Sequence, residues 1–209
     1  MYHPCSGDWG IALGKGAFMK KEIKTVIIPD GTTIVKKGMV PRWTNVVIIP
    51  KGVTKIGDHA FFKRSSLESI VIPEGVTSIG ESAFEGCRAL KSIVIPEGVT
   101  SIGNRAFEGC ESLRYIVIPE GVTKISEYTF CGCYLLKSVT IPKGVTEICK
   151  SAFRCCDSLR SIVIPEGVTK IGRDAFCHCW GLESIVIPEG VSIDDAFCGC
   201  TLLNMDNDL

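Results

Sequence analysis

The sequence predicts a solenoid, a single stack of coils of about 23 residues. Each coil supplies a short strand to a parallel sheet on one side and a short α or 3-10 turn on the other. Three observations predict it. Proline recurs at 29, 50, 73, 96, 119, 142, 165 and 188, with a first step of 21 residues and every later step of 23. Each proline closes a short run with period-two inward positions, as in Ser69-Ile70-Val71-Ile72-Pro73. Phenylalanine marks a second column at 18, 61, 84, 107, 130, 153, 176 and 197, with Met39 in the gap. One such coil cannot bury its own apolar face, so the stack is obligatory. No Ser- or Pro-rich linker divides it, and residues 1–209 read as one domain.

The coil beginning at Leu67 shows why each piece forms. Ile70 and Ile72 face inward while Ser69 and Val71 face outward, the period of a half-buried strand. Pro73 has no N–H and stands where the ladder ends. Pro73-Glu74-Gly75 turns the chain, proline presetting φ and glycine admitting a positive one. Val76 and Ile79 flank a short extended piece around Thr77. Ala83, Phe84, Cys87 and Leu90 follow at steps of one, three and three, which sets them on one face of a helical turn.

The ends depart from this unit. Residues 1–22 read as a partial first repeat, entered at Leu13-Gly14-Lys15-Gly16-Ala17-Phe18; residues 23–203 are the stacked repeats and 204–209 a polar tail. The unit from Pro29 to Ile49 is shortened. It carries Thr44 where the others have Leu, and Trp43 is expected to reach into the space this leaves. The copy from Gly190 to Phe197 is two residues short.

The pattern Ile95-Pro96-Glu97-Gly98-Val99-Thr100-Ser101-Ile102-Gly103 followed by Ala106-Phe107-Glu108-Gly109-Cys110 resembles the BspA-like, Treponema pallidum-type leucine-rich repeats. The resemblance runs from about Leu13 to Leu202. It implies a leucine-rich-repeat solenoid with the parallel sheet on its concave face. It also implies a surface or secreted protein that binds host or cell-surface proteins, with neither catalysis nor a cofactor.

Charge and composition narrow the function further. Lys and Arg number 23 and Asp and Glu 23, so bulk charge holds neither nucleic acid nor an anionic membrane. No apolar run approaches the ~18 residues of a membrane span, and the first residues carry no basic and apolar leader. No nucleotide-binding glycine loop is present, and three histidines leave little for acid–base work.

Partner binding is therefore sought on the outward strand positions. One column is Ile27, Ile48, Val71, Val94, Val117, Thr140, Val163 and Val186. It reads either as a binding stripe or as good strand formers multiplied by duplication. Its neighbour is Thr25, Val46, Ser69, Ser92, Tyr115, Ser138, Ser161 and Ser184, in which Tyr115 stands out as an anchor. Lys91, Arg114, Lys137 and Arg160 form a basic run before the strands, and a mostly acidic column follows them. The basic run reads as a steering surface for an acidic partner or as a solvated rim. The candidate site is Tyr115, Arg114, Val94, Val117, Lys137, Thr140, Arg160 and Val163.

The twelve cysteines fall into two classes. Cys87, Cys110, Cys133, Cys156, Cys179 and Cys200 hold the inward repeat position and read as small core residues. The second class is irregular, Cys5, Cys131, Cys149, Cys155, Cys177 and Cys198; of these Cys131, Cys177 and Cys198 directly follow the core Phe and are expected to turn outward. Cys177 and Cys198, in adjacent coils, either bridge or stay free. The Cys-x-Cys pairs at 131–133, 177–179 and 198–200 put one sulfur in and one out, which argues against a metal site; beside the binding module, the alternatives are a structural spacer or scaffold of a larger protein and a thiol-rich intracellular protein with a metal or redox role. His178 between two thiols lacks an orienting third group for nucleophilic catalysis.

Overall fold

The computed structural model describes residues 23–203 and two strands before them, Gly10–Leu13 and Ala17–Lys20. Residues 204–209 lie outside the described residues. From residue 23 onward the chain winds as a β-solenoid with about 23 residues per turn, hydrogen-bonded between turns on three sides.

The first side is the expected parallel sheet. Thr25–Ile27, Val46–Ile48 and Ser69–Val71 pair in register, as do Tyr115–Val117 with Ser138–Thr140 and Ser161–Val163 with Ser184–Val186. The segment 92–94 makes no regular strand, so the ladder is interrupted there. Its alternation survives: Ile93 is buried and Val94 exposed, like their counterparts. The second side carries two-residue strands in two ribbons of four, which place Val35, Ile56, Ile79 and Ile102, then Ile125, Ile148, Ile171 and Ile193, in line.

The third side was expected to be a short α or 3-10 turn. No helix forms among the described residues; i to i+3 turns do, such as Cys87 N–H to the Phe84 carbonyl at 3.1 Å and Leu90 N–H to the Cys87 carbonyl at 3.1 Å. The backbone swings into the left-handed region two residues before each core Phe, at Ser82, Arg105, Tyr128, Ser151 and Asp174 among others. That alternation stops a helix from propagating and aims alternate N–H groups at the next coil. Phe84 N–H thus donates to the Ala106 carbonyl at 2.7 Å, and Phe130 N–H to Ala152 at 2.8 Å. Intercoil pairing here replaces the intrasegment bonds of a helix.

Inside, the Phe side chains of 61, 84, 107, 130, 153, 176 and 197 stack in one column, ring centroids 4.9–5.6 Å apart. Columns of Leu, Ile, Val, Ala and Cys complete the core. The N-terminal end departs from the repeat. Ala17–Lys20 pairs antiparallel with Gly10–Leu13 rather than in a parallel ladder; the Phe18 side chain lies outside the described residues, among which the stacked Phe column runs from Phe61. Two neighbouring apolar runs have an antiparallel partner at hand and need no intercoil one. Trp43 does not fill the space beside Thr44: it is 52% exposed, with the Lys24 ammonium 5.3 Å from its ring. Thr44 is buried with an unpaired hydroxyl. The indole keeps its bulk outside a slot cut for a smaller side chain.

Candidate binding face

Each coil's strand is held by two inward residues, and what remains outside is set by alternation. Ile116 and Ile118 are 2% exposed while Tyr115 and Val117, beside them, are 57% and 59% exposed. The column Ile27, Ile48, Val71, Val94, Val117, Thr140, Val163 and Val186 is open to solvent along its length. Parallel register stacks these side chains at ~4.8 Å intervals. Tyr115 sits directly opposite Ser138, so its ring rises above a row of small neighbours.

The candidate residues divide into three groups. Thr140 and Val163 lie in a shallow groove of about 930 Å³ over the later strands, which Val186, Lys143, Glu166 and Glu189 also line. Lys137 and Arg160 line a smaller cleft of about 320 Å³ with Asp157, Ser158 and Gly181, before the strands rather than on them. Val94, Arg114, Tyr115 and Val117 line neither and form the open part of the face. Arg160 is ion-paired with Glu183 of the next coil, which ties down one member of the basic run. The groove was missed although Thr140 and Lys143 break their columns there, because a depression shared by several coils is not stated by any single column. The cleft does have a signal, Gly181, where three earlier coils carry Ser66, Ser112 and Ser158. A Cβ at 181 would collide with the Asp157 carbonyl oxygen, so glycine lets the coils approach there. Burial raises the Asp157 carboxyl above the usual carboxylate range, partly offset by His178.

The inward cysteines are not merely apolar filler. The thiols of Cys87, Cys110, Cys133, Cys156 and Cys179 each donate to the carbonyl of the Phe 26 residues earlier, at 3.1–3.3 Å. Burial pushes the Cys87 thiol up to about 12 and raises Cys110 and Cys133 as well, which keeps them as donors. Of the three cysteines expected to point outward, Cys198 is exposed and Cys131 half-buried, but Cys177 is 2% exposed. Cys177 lies between Arg154 of the preceding coil and Cys198 of the following one, and intercoil stacking covers it. Among the described residues, no three His, Cys, Asp or Glu side chains converge as a metal site. Nor is any helix among them long and apolar enough to cross a membrane.

The model of the BspA type leucine-rich repeat region matches residues 11–133 and 78–204 in six copies. A Treponema pallidum leucine-rich-repeat protein of known structure is 33% identical, with TM-score 0.72, over 77% of this chain and 78% of that one. A leucine-rich cell surface protein from Faecalibacterium prausnitzii is 33% identical, with TM-score 0.66, over 84% of this chain and 45% of that one. A Bacteroides ovatus leucine-rich-repeat protein is 27% identical, with TM-score 0.58, over 97% and 70% respectively. No functionally curated protein matches the chain. These neighbours are leucine-rich proteins, two of them named for the repeat. With the period, the register and the stacked core already in hand, the chain belongs to the BspA-type leucine-rich-repeat family.

Proposed function

We propose that the chain is a non-enzymatic protein-binding module that engages a host or cell-surface protein through its sheet face. The observation that carries this reading is a row of exposed Ile and Val along the sheet face, with Thr140 its one polar member, beside which Tyr115 rises from the neighbouring Ser column. An aromatic of this kind buries much area at small entropic cost. Arg114 and Lys137, exposed beside it, steer an acidic partner. Adhesion is the finer reading, supported by likeness to a leucine-rich cell surface protein. The partner class contains neither nucleic acid nor a bilayer interior.

The test is capture of extracellular-matrix and cell-surface proteins on the immobilised chain, followed by Tyr115→Ser. Binding of the captured partner weakens by more than about 1 kcal/mol, the usual mark of an anchor, while thermal stability holds. Unchanged affinity moves the site to the other side of the coil, around Tyr134 and Trp180, both exposed. A second reading, a structural spacer within a larger protein, is favoured by the near-identity of the Ser and Val columns. It expects no partner to be retained at all.

A further inference from the structure

Cys177 and Cys198 occupy the same position of adjacent coils, each directly after a core Phe, and those two rings stack 5.5 Å apart. The backbone is clamped on both sides of the pair. Phe176 N–H donates to the Ala196 carbonyl at 2.8 Å and His178 N–H to the Cys198 carbonyl at 2.7 Å. The two Cα atoms are thereby held near the intercoil spacing of ~4.8 Å, inside the range a disulfide spans. Both cysteines are free, and their side chains lie close enough to interact. Access is one-sided: Cys198 is exposed and Cys177 is covered. The coil that carries Cys198 is also less well buried than those before it. Ile193, Phe197 and Cys200 are only half-buried, whereas Ile171, Phe176 and Cys179 are 0% exposed.

We propose that Cys177 and Cys198 form a thiol–disulfide site, oxidised by a low-molecular-weight disulfide, whose closure clamps the coil of residues 192–203 onto the stack. The Cys198 thiolate attacks one sulfur of the disulfide RSSR, and a thiolate leaves and takes up a proton. The Cys177 sulfur, losing its own proton, then displaces the second RS group from Cys198, which also leaves as a thiol. Two protein thiols lose two electrons and RSSR gains them, giving two RSH. The second step is the slow one, because Cys177 is covered. A second neighbouring pair, Cys156 with Cys179, is excluded from this chemistry: both are fully buried and donate to Phe carbonyls.

The experiment treats the reduced, folded chain with oxidised glutathione and follows it by peptide mapping and amide hydrogen exchange. The expected course is a mixed disulfide on Cys198, then a 177–198 cross-link with loss of two thiols. Exchange at the amides of 194, 200 and 203 slows at least about tenfold on closure. Cys177→Ser stops at the mixed disulfide, and Cys155→Ser leaves the cross-link intact. A mixed disulfide that persists on the wild-type chain overturns the proposal, as does a cross-link to Cys131 or Cys155. A 177–198 cross-link that leaves exchange in 192–203 unchanged overturns the clamp. Mapping on the wild-type chain decides the pairing even where a variant fails to fold.

Discussion

At the scale of the residue, the inward cysteines carry the clearest consequence. In the unfolded chain a thiol ionises near 9.0, and burial lifts Cys87 to about 12. Cys110 and Cys133 are raised in the same direction by the same cause. Above the unfolded value the unfolded chain loses these protons while the native chain keeps them, so stability falls as pH rises. The window runs from 9.0 to about 12 for Cys87, at no more than about 1.4 kcal/mol per pH unit for each such thiol. Chemical denaturation at pH 8 and pH 10 checks this: Cys110→Ala is expected to flatten the pH dependence. An unaltered slope would show that Cys110 keeps a similar ionisation folded and unfolded.

The residue scale also shows what the sequence made legible. Ile70, Ile72, Phe84 and Cys87 lie inward because period two and the Ala-Phe-x-x-Cys spacing leave them no other face. Tyr115 was readable as an exposed exception to a Ser column. Cys177 was not: its place after Phe176 points it away from the core, but covering by Arg154 and Cys198 is a relation between coils. Trp43 failed for a similar reason, since a vacant position does not state the size of its slot.

At the scale of the element, the turns decide the spacing of the coils. Gly103 follows the two-residue strand Ser101–Ile102, and a Cβ there would stand 2.6 Å from the Glu81 nitrogen. Gly103→Ala forces the neighbouring coils apart and is expected to cost ~1–3 kcal/mol by overpacking. A denaturant midpoint matching the parent's would mean that the coils are not in close register at that corner. The third side was read as helical from the steps of Ala83, Phe84, Cys87 and Leu90, which i to i+3 turns satisfy as well. Periodicity over the eight residues from Ala83 to Leu90 does not distinguish them. What does is the left-handed backbone at Ser82 and its equivalents, and pairing with the next coil imposes it.

At the scale of the whole molecule, stability is a sum of coils and of interfaces between neighbours. Phe107 is fully buried between two stacked rings, whereas Phe197 is half-buried against one. Phe107→Ala is expected to cost ~3–5 kcal/mol by cavity formation, and Phe197→Ala distinctly less. Equal losses in denaturant midpoint would contradict nearest-neighbour energetics. The stack itself was legible from the eight prolines. The antiparallel pairing of Gly10–Leu13 with Ala17–Lys20 was not, because a fixed period says nothing about segments that depart from it.

Function also belongs to this scale, since a binding face made of one residue per coil exists only when the coils are stacked. The most direct measurement is the hydrogen-exchange footprint of a captured protein partner along the intact solenoid. The account expects protection to concentrate on the strands Tyr115–Val117, Ser138–Thr140 and Ser161–Val163. Protection confined to the turns around Tyr134 and Trp180, with those strands exchanging as in the free chain, would contradict it.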